Sequence, residues 1–176
     1  LVILNQIDGF NGASMYRTIQ ITFLALILTL VSGCNISTQS EKSVLRISFI
    51  SANHDHWGWA AATTMIFGYH NVYYSQADVV DFHDYQYGSG NVSINEISWL
   101  LWDLGGIDSR VTGTLSFREI RSHINSGHPI LLHYGDYYRG RYVLLHGYDD
   151  NGHIYLHEPN YGTRVIHYDD LFYREL

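Results

Sequence analysis

The chain has 176 residues, 46% of them hydrophobic and 15% charged, which suits one compact domain with a real core. Its formal net charge of −7 argues against nucleic acid or an anionic membrane surface as a main partner. Fifteen tyrosines and four tryptophans fit a sheet-rich core as well as a wet binding face, so the aromatic count alone decides neither.

Residues 1–14 precede Met15 and carry no signal character, so they read as upstream of an initiator and outside the fold. MYRTIQ, with the cation Arg17, leads into the apolar run ITFLALILTLV and then VSGCN, the layout of an export signal. The run is shorter than the ~20 residues of a spanning helix. Val31-Ser32-Gly33-Cys34 resembles the bacterial lipobox, in which the cysteine is diacylated and becomes the mature N-terminus. The expectation is a lipoprotein signal over residues 15–34, a polar linker over 35–47 and a folded domain over 48–176. The product would be an exported lipoprotein of the bacterial envelope, touching the membrane only through lipid on Cys34. Cys34 is the only cysteine, so the domain itself holds no thiol for catalysis, a disulfide or a metal.

Within the domain the apolar period is first helical and then strand-like. After HDHWGWA, His54 to Ala60, comes an apolar stretch with helical spacing, and the segment after Gly58 is expected to form a helix that ends near His70-Asn71. Ser75-Gln-Ala-Asp78 opens a second. Ser93-Ile-Asn-Glu96 is a capping box ahead of ISWLLWDL, stopped by Gly105-Gly106, and Ser116-Phe-Arg-Glu119 repeats the device ahead of IRSHIN, closed by Gly127. PILLHY, RYVLLHGY, HIYLHE and TRVIHY then read as strands, with a hairpin turn at Asp150-Asn151-Gly152. Helices followed by antiparallel strands predict an α+β fold of two lobes with a site in the cleft between them.

Two blocks carry a resemblance. Trp57-Gly58-Trp59-Ala60-Ala61 is similar to the nucleophile turn of papain-like cysteine peptidases. The segment GRYVLLHGYDDNGHIYLHEPNYG, Gly140 to Gly162, is similar to that superfamily's strand pair. The branch resembled most is that of the bacteriocin-leader (double-glycine) peptidases. It implies a papain-like fold, with a thiolate at a helix start, an imidazole base, an orienting acid and an oxyanion donor. Carried across, the nucleophile position is Gly58, the base position is Arg141, the acid is Glu158, and the oxyanion glutamine falls on Ala52 or Asn53. Glycine has nothing to attack with, and arginine stays protonated and cannot act as a base. Arg141 and Glu158 are expected to meet as an ion pair. Their alternative is a solvated rim pair.

The resulting expectation is a catalytically inactive, lipid-anchored homologue that binds a peptide or protein in a cleft lined by His56, Trp57, Trp59, Tyr142 and Glu158, with no cofactor. One alternative is an active hydrolase whose nucleophile is misaligned or substituted, with Ser51, Thr63 and Thr64 the nearest hydroxyls. Another is a metal-binding envelope lipoprotein, suggested by eleven histidines, among them His54, His56, His133, His146, His153 and His157. No metal-ligand spacing supports the latter, and no metal residue is assigned.

Overall fold

The computed structural model describes residues 2–4, 42–87, 92–134 and 140–171. In chain order these form strands β1 (Val2–Leu4) and β2 (Lys42–Val44), then helices α1 (Gly58–Tyr69), α2 (Gln76–Tyr87) and α3 (Ile94–Gly105). Strand β3 (Ser109–Val111) and helix α4 (Phe117–Asn125) follow. Strands β4 (Ile130–Tyr134), β5 (Arg141–Asp149), β6 (His153–Glu158) and β7 (Gly162–His167) complete the sheet, ahead of a 3-10 turn, Tyr168–Leu171. The expected α+β arrangement holds: most of the helical mass precedes an antiparallel sheet.

Local chemistry sets the helix ends. Ser93 accepts from the Glu96 amide while the Glu96 carboxylate accepts from the Ser93 amide at 2.6 Å, and Ser116 and Glu119 do the same at α4. Gly106 closes α3 in the left-handed region at φ 61°, a conformation that costs glycine nothing. Helix α1 is different. Its residues Trp59 to Thr63 and Met65 to Phe67 are all buried, so it is an interior helix rather than an amphipathic one.

The sheet order is β3-β1-β4-β5-β6-β7, with β2 also paired to β5. Strand β5 takes β4 along Arg141–Leu145 and β2 along Gly147–Asp149 on one edge, and β6 on the other. Side-chain alternation divides the core. Leu131, Tyr142 and Leu144 face α1 and the helices packed with it, whereas Ile130, Leu132, Val143 and Leu145 face the α4 side with Ile120 and Ile124. A bulge between Leu145 and Gly147 inverts the phase, which places Tyr148 on the α4 side.

Two boundaries differ from expectation. The linker read over 35–47 ends sooner, because Lys42–Val44 pairs antiparallel with β5 and Ile47 is buried. Gly147 makes this possible: a Cβ there would lie 2.8 Å from Val44 and 2.9 Å from the Ser43 carbonyl. Within the stretch 1–14, expected to be unstructured, Val2–Leu4 pairs with β3 and β4, as a run of β-prone residues can beside an open strand edge. The signal expected over residues 15–34 lies outside the described residues.

Two helix glycines should respond oppositely to alanine. A Cβ on Gly105 would lie 2.6 Å from the buried Phe67 ring, whereas one on Gly68, exposed on α1, meets nothing within 4 Å. Gly105→Ala is expected to destabilise by ~1–3 kcal/mol. Gly68→Ala should stabilise by ~0.5–1 kcal/mol through lower unfolded-chain entropy. Urea midpoints moving in the same direction for both variants would contradict this packing.

Candidate functional site

Gly58 is the first residue of α1. Trp57 precedes it as N-cap, with no side-chain cap and no acidic residue in the first turn, so the positive end of the helix lacks local neutralisation. The side chain that comes up to this point is Asn160. An ideal Cβ on Gly58 would lie 3.6 Å from both Asn160 Oδ1 and Nδ2, an ordinary contact, and Asn160 Nδ2 donates to the Asp55 carbonyl at 3.1 Å. The loop before α1 is held by α2: Gln76, buried, donates to the Ser51 carbonyl at 2.8 Å and accepts from the Asn53 amide at 2.9 Å. The Ala52 amide donates to the Pro159 carbonyl at 3.0 Å, tying this loop to the same turn that carries Asn160.

Two residues before Asn160 in that turn is Glu158, whose side chain is only 3% exposed. Its Oε1 meets Arg141 Nη1 at 3.3 Å and its Oε2 meets Arg164 Nη1 at 2.9 Å. The expected Arg141–Glu158 contact is therefore present, with a difference. The carboxylate is shared between two arginines from β5 and β7 instead of gripping one bidentately. The Arg141 guanidinium also lies 5.6 Å from the Tyr161 ring centroid, within cation–π range. Tyr134, paired with Arg141 across the sheet, stays a phenol: burial first, and the Glu158 charge second, push its pKa up.

A family comparison covers most of this chain. The model of the peptidase C39-like family matches residues 44–175. The chain belongs to the peptidase C39-like family. Its fold is thus the papain-like α+β fold that the two sequence blocks resemble. No curated protein matches the chain.

Against the family's site, the structure brings together two groups: Gly58 with Asn160 and Asp55, and Arg141 with Glu158 and Arg164. Asn160 and Gln76 were missed from sequence. The signal for Asn160 was its place in EPNYG, directly after the acid and the proline; nothing in the chain marked Gln76. Asn53 reaches Gln76 through its backbone amide. Two residues read as cleft lining are core instead. Trp59 is 8% exposed against the His83 ring, and Tyr142 is 7% exposed with its hydroxyl donating to the Val92 carbonyl. Both belong to the apolar cluster that α1, α2, α3 and β5 share, where packing excludes water. Trp57 is half-buried, with His54 edge-on to it at 4.4 Å, and His56 is exposed.

Two of the three nearby hydroxyls are committed to the helix. Thr63 and Thr64 each donate to a carbonyl four residues back at 2.8 Å, and Thr63 is fully buried. The histidines do not converge: among the described residues no three His, Cys, Asp or Glu side chains are grouped to hold a metal. His133 stacks on Tyr142, and His153 pairs with Asp149 at 3.1 Å. His146 and His157 stack with centroids 3.9 Å apart, and His157 Nε2 lies 3.0 Å from the Ile47 carbonyl.

Two measurements probe this geometry. Arg141→Met and Arg164→Met should each cost about 1 kcal/mol, because the other arginine still neutralises Glu158. The double variant should exceed their sum, reaching about 3 kcal/mol, because a buried charge is left uncompensated. Strict additivity in urea unfolding would mean that the two arginines do not share Glu158. Separately, burial first, then the neighbouring His157, holds His146 down to about 4 from its ordinary 6.5. The unfolded chain therefore takes this proton first. Stability from neutral His146 is full above pH 6.5 and falls as the pH drops towards 4, by at most about 1.4 kcal/mol per unit. His146→Gln should flatten the fall in unfolding free energy between pH 7 and 5; an unchanged slope would refute the assignment.

Proposed function

We propose that this family member is a peptidase homologue that does not cut, and that it binds peptide or protein segments while tethered by lipid on Cys34 at a bacterial envelope. The observation that carries this reading is the start of α1. The position that would present a thiolate to the helix dipole is Gly58, and the space in front of it holds a carboxamide, Asn160. The base position supports the same conclusion. Arg141 is a permanent cation bound to Glu158, so the pair that would move a proton in an active relative is a fixed bridge here. Loss of the nucleophile and loss of the base remove separate steps of one mechanism, and neither compensates for the other. An extended segment could still be recognised along the strand edges and aromatic rim near Tyr161, which is 65% exposed.

A Cβ at Gly58 makes only ordinary contacts, so a cysteine fits without rebuilding the helix. In the lipid-bearing full chain, where the sole cysteine, Cys34, is a thioether, a thiol-reactive activity probe is expected to label nothing. In Gly58→Cys/Arg141→His, labelling at position 58 should appear, with its rate rising as the introduced imidazole loses its proton. Covalent labelling of any serine or threonine in the unaltered chain, or turnover of a peptide by it, would overturn the proposal.

A further inference from the structure

Helix α3 buries Ile97, Leu100 and Leu101 completely, yet leaves Trp99 55% and Trp102 59% exposed. These tryptophans, with Asp103, recur at three- and four-residue spacing, so they share one face away from the core. The face is not flat. With Tyr87 from the end of α2, and with Asp108 beyond the helix, it lines an open, shallow cavity of about 520 Å³, the size of one or two side chains. The Tyr87 ring lies 6.0 Å from that of Trp99 at 40°, and its hydroxyl donates to Asp103 Oδ2 at 2.7 Å. Burial, and then the Asp103 carboxylate, push that hydroxyl up to about 12, so it remains a donor that fixes the carboxylate. Tyr87 is itself supported from within, since the buried rings of Trp59 and His83 stack towards it in a row.

The lining combines three aromatic rings and two carboxylates with, among the described residues, no cationic side chain. Indole and phenol faces attract cations, and carboxylates accept from their N–H groups. A neutral sugar would stack on the tryptophans but gain little from two fixed negative charges. We propose that this cavity is a second binding site, distinct from the start of α1, that takes a lysine or arginine side chain presented by a basic peptide segment. The complement of negative charge around it is general as well as local, given the chain's net −7.

The test uses the full chain and isothermal titration with hexa-arginine, hexa-glutamate and a neutral chitin hexamer. Hexa-arginine should bind with an affinity that falls steeply with salt, and neither other probe should match it. Trp99→Ala/Trp102→Ala should weaken that binding roughly tenfold. Asp103→Asn/Asp108→Asn, which leaves the helix face intact, should do the same. Asp81→Asn/Asp169→Asn removes equal charge from exposed positions elsewhere and should change the affinity less than about twofold. Absence of hexa-arginine binding, insensitivity to the tryptophan pair, an equal loss in the control, or tighter binding of the chitin hexamer would each overturn the site. None of these substitutions touches Gly58, Arg141 or Glu158, so the outcome is independent of whether the α1 site cuts or binds.

Discussion

Strand β5 is the constraint from which the rest follows. Eight of its nine residues, Tyr142 to Asp149, are buried, because both edges are occupied and both faces are covered. A central strand of this kind needs apolar residues on both sides, not an alternating pattern. It tolerates polar groups only where their partners are fixed. His146 sits at the bulge, stacked on His157, and Gly147 is required because β2 crosses where a side chain would be. Only Arg141, at the open start of the strand, escapes this packing. Position 141 is therefore the one on β5 that can change chemical type without cost to the core.

That freedom shapes the electrostatics of the site. Glu158 is buried at the far end of β6 and needs a countercharge whatever stands at position 141. An imidazole there would supply one only when protonated, whereas a guanidinium supplies one at every pH, and Arg164 supplies another. The result is a permanent bridge. At the start of α1 a neutral carboxamide, Asn160, lies close to the exposed amides and is anchored to the Asp55 carbonyl.

What could be read from the chain follows from how local each signal is. The capping boxes at Ser93 and Ser116 and the glycine stops are decided within four residues, and they formed as read. Strand β2 was missed because KSV carries no pattern of its own; its pairing is set by Gly147, a hundred residues later. Trp59 and Tyr142 were misplaced for a related reason. Spacing shows which residues share a helix or strand face, but not that α2 closes over Trp59 or that the segment before α3 closes over Tyr142. Gln76 was invisible for the opposite reason: it lies in an ordinary helix start, and only the folded loop at Ser51 and Asn53 gives its amide a task.

The two halves of the WGWAA turn therefore report on different things. Trp59 belongs to a packed row of rings that runs through His83 to Tyr87 and out to Trp99, so its presence is a requirement of the helical layer. Gly58, next to it, packs against nothing closer than an ordinary contact with Asn160, and its identity is a matter of chemistry alone. The two positions can vary separately because no packing term couples them. The same separation lets α3 turn one side into the core and present two tryptophans on the other. Burial of Ile97, Leu100 and Leu101 already anchors that helix, which leaves its outer face available for recognition.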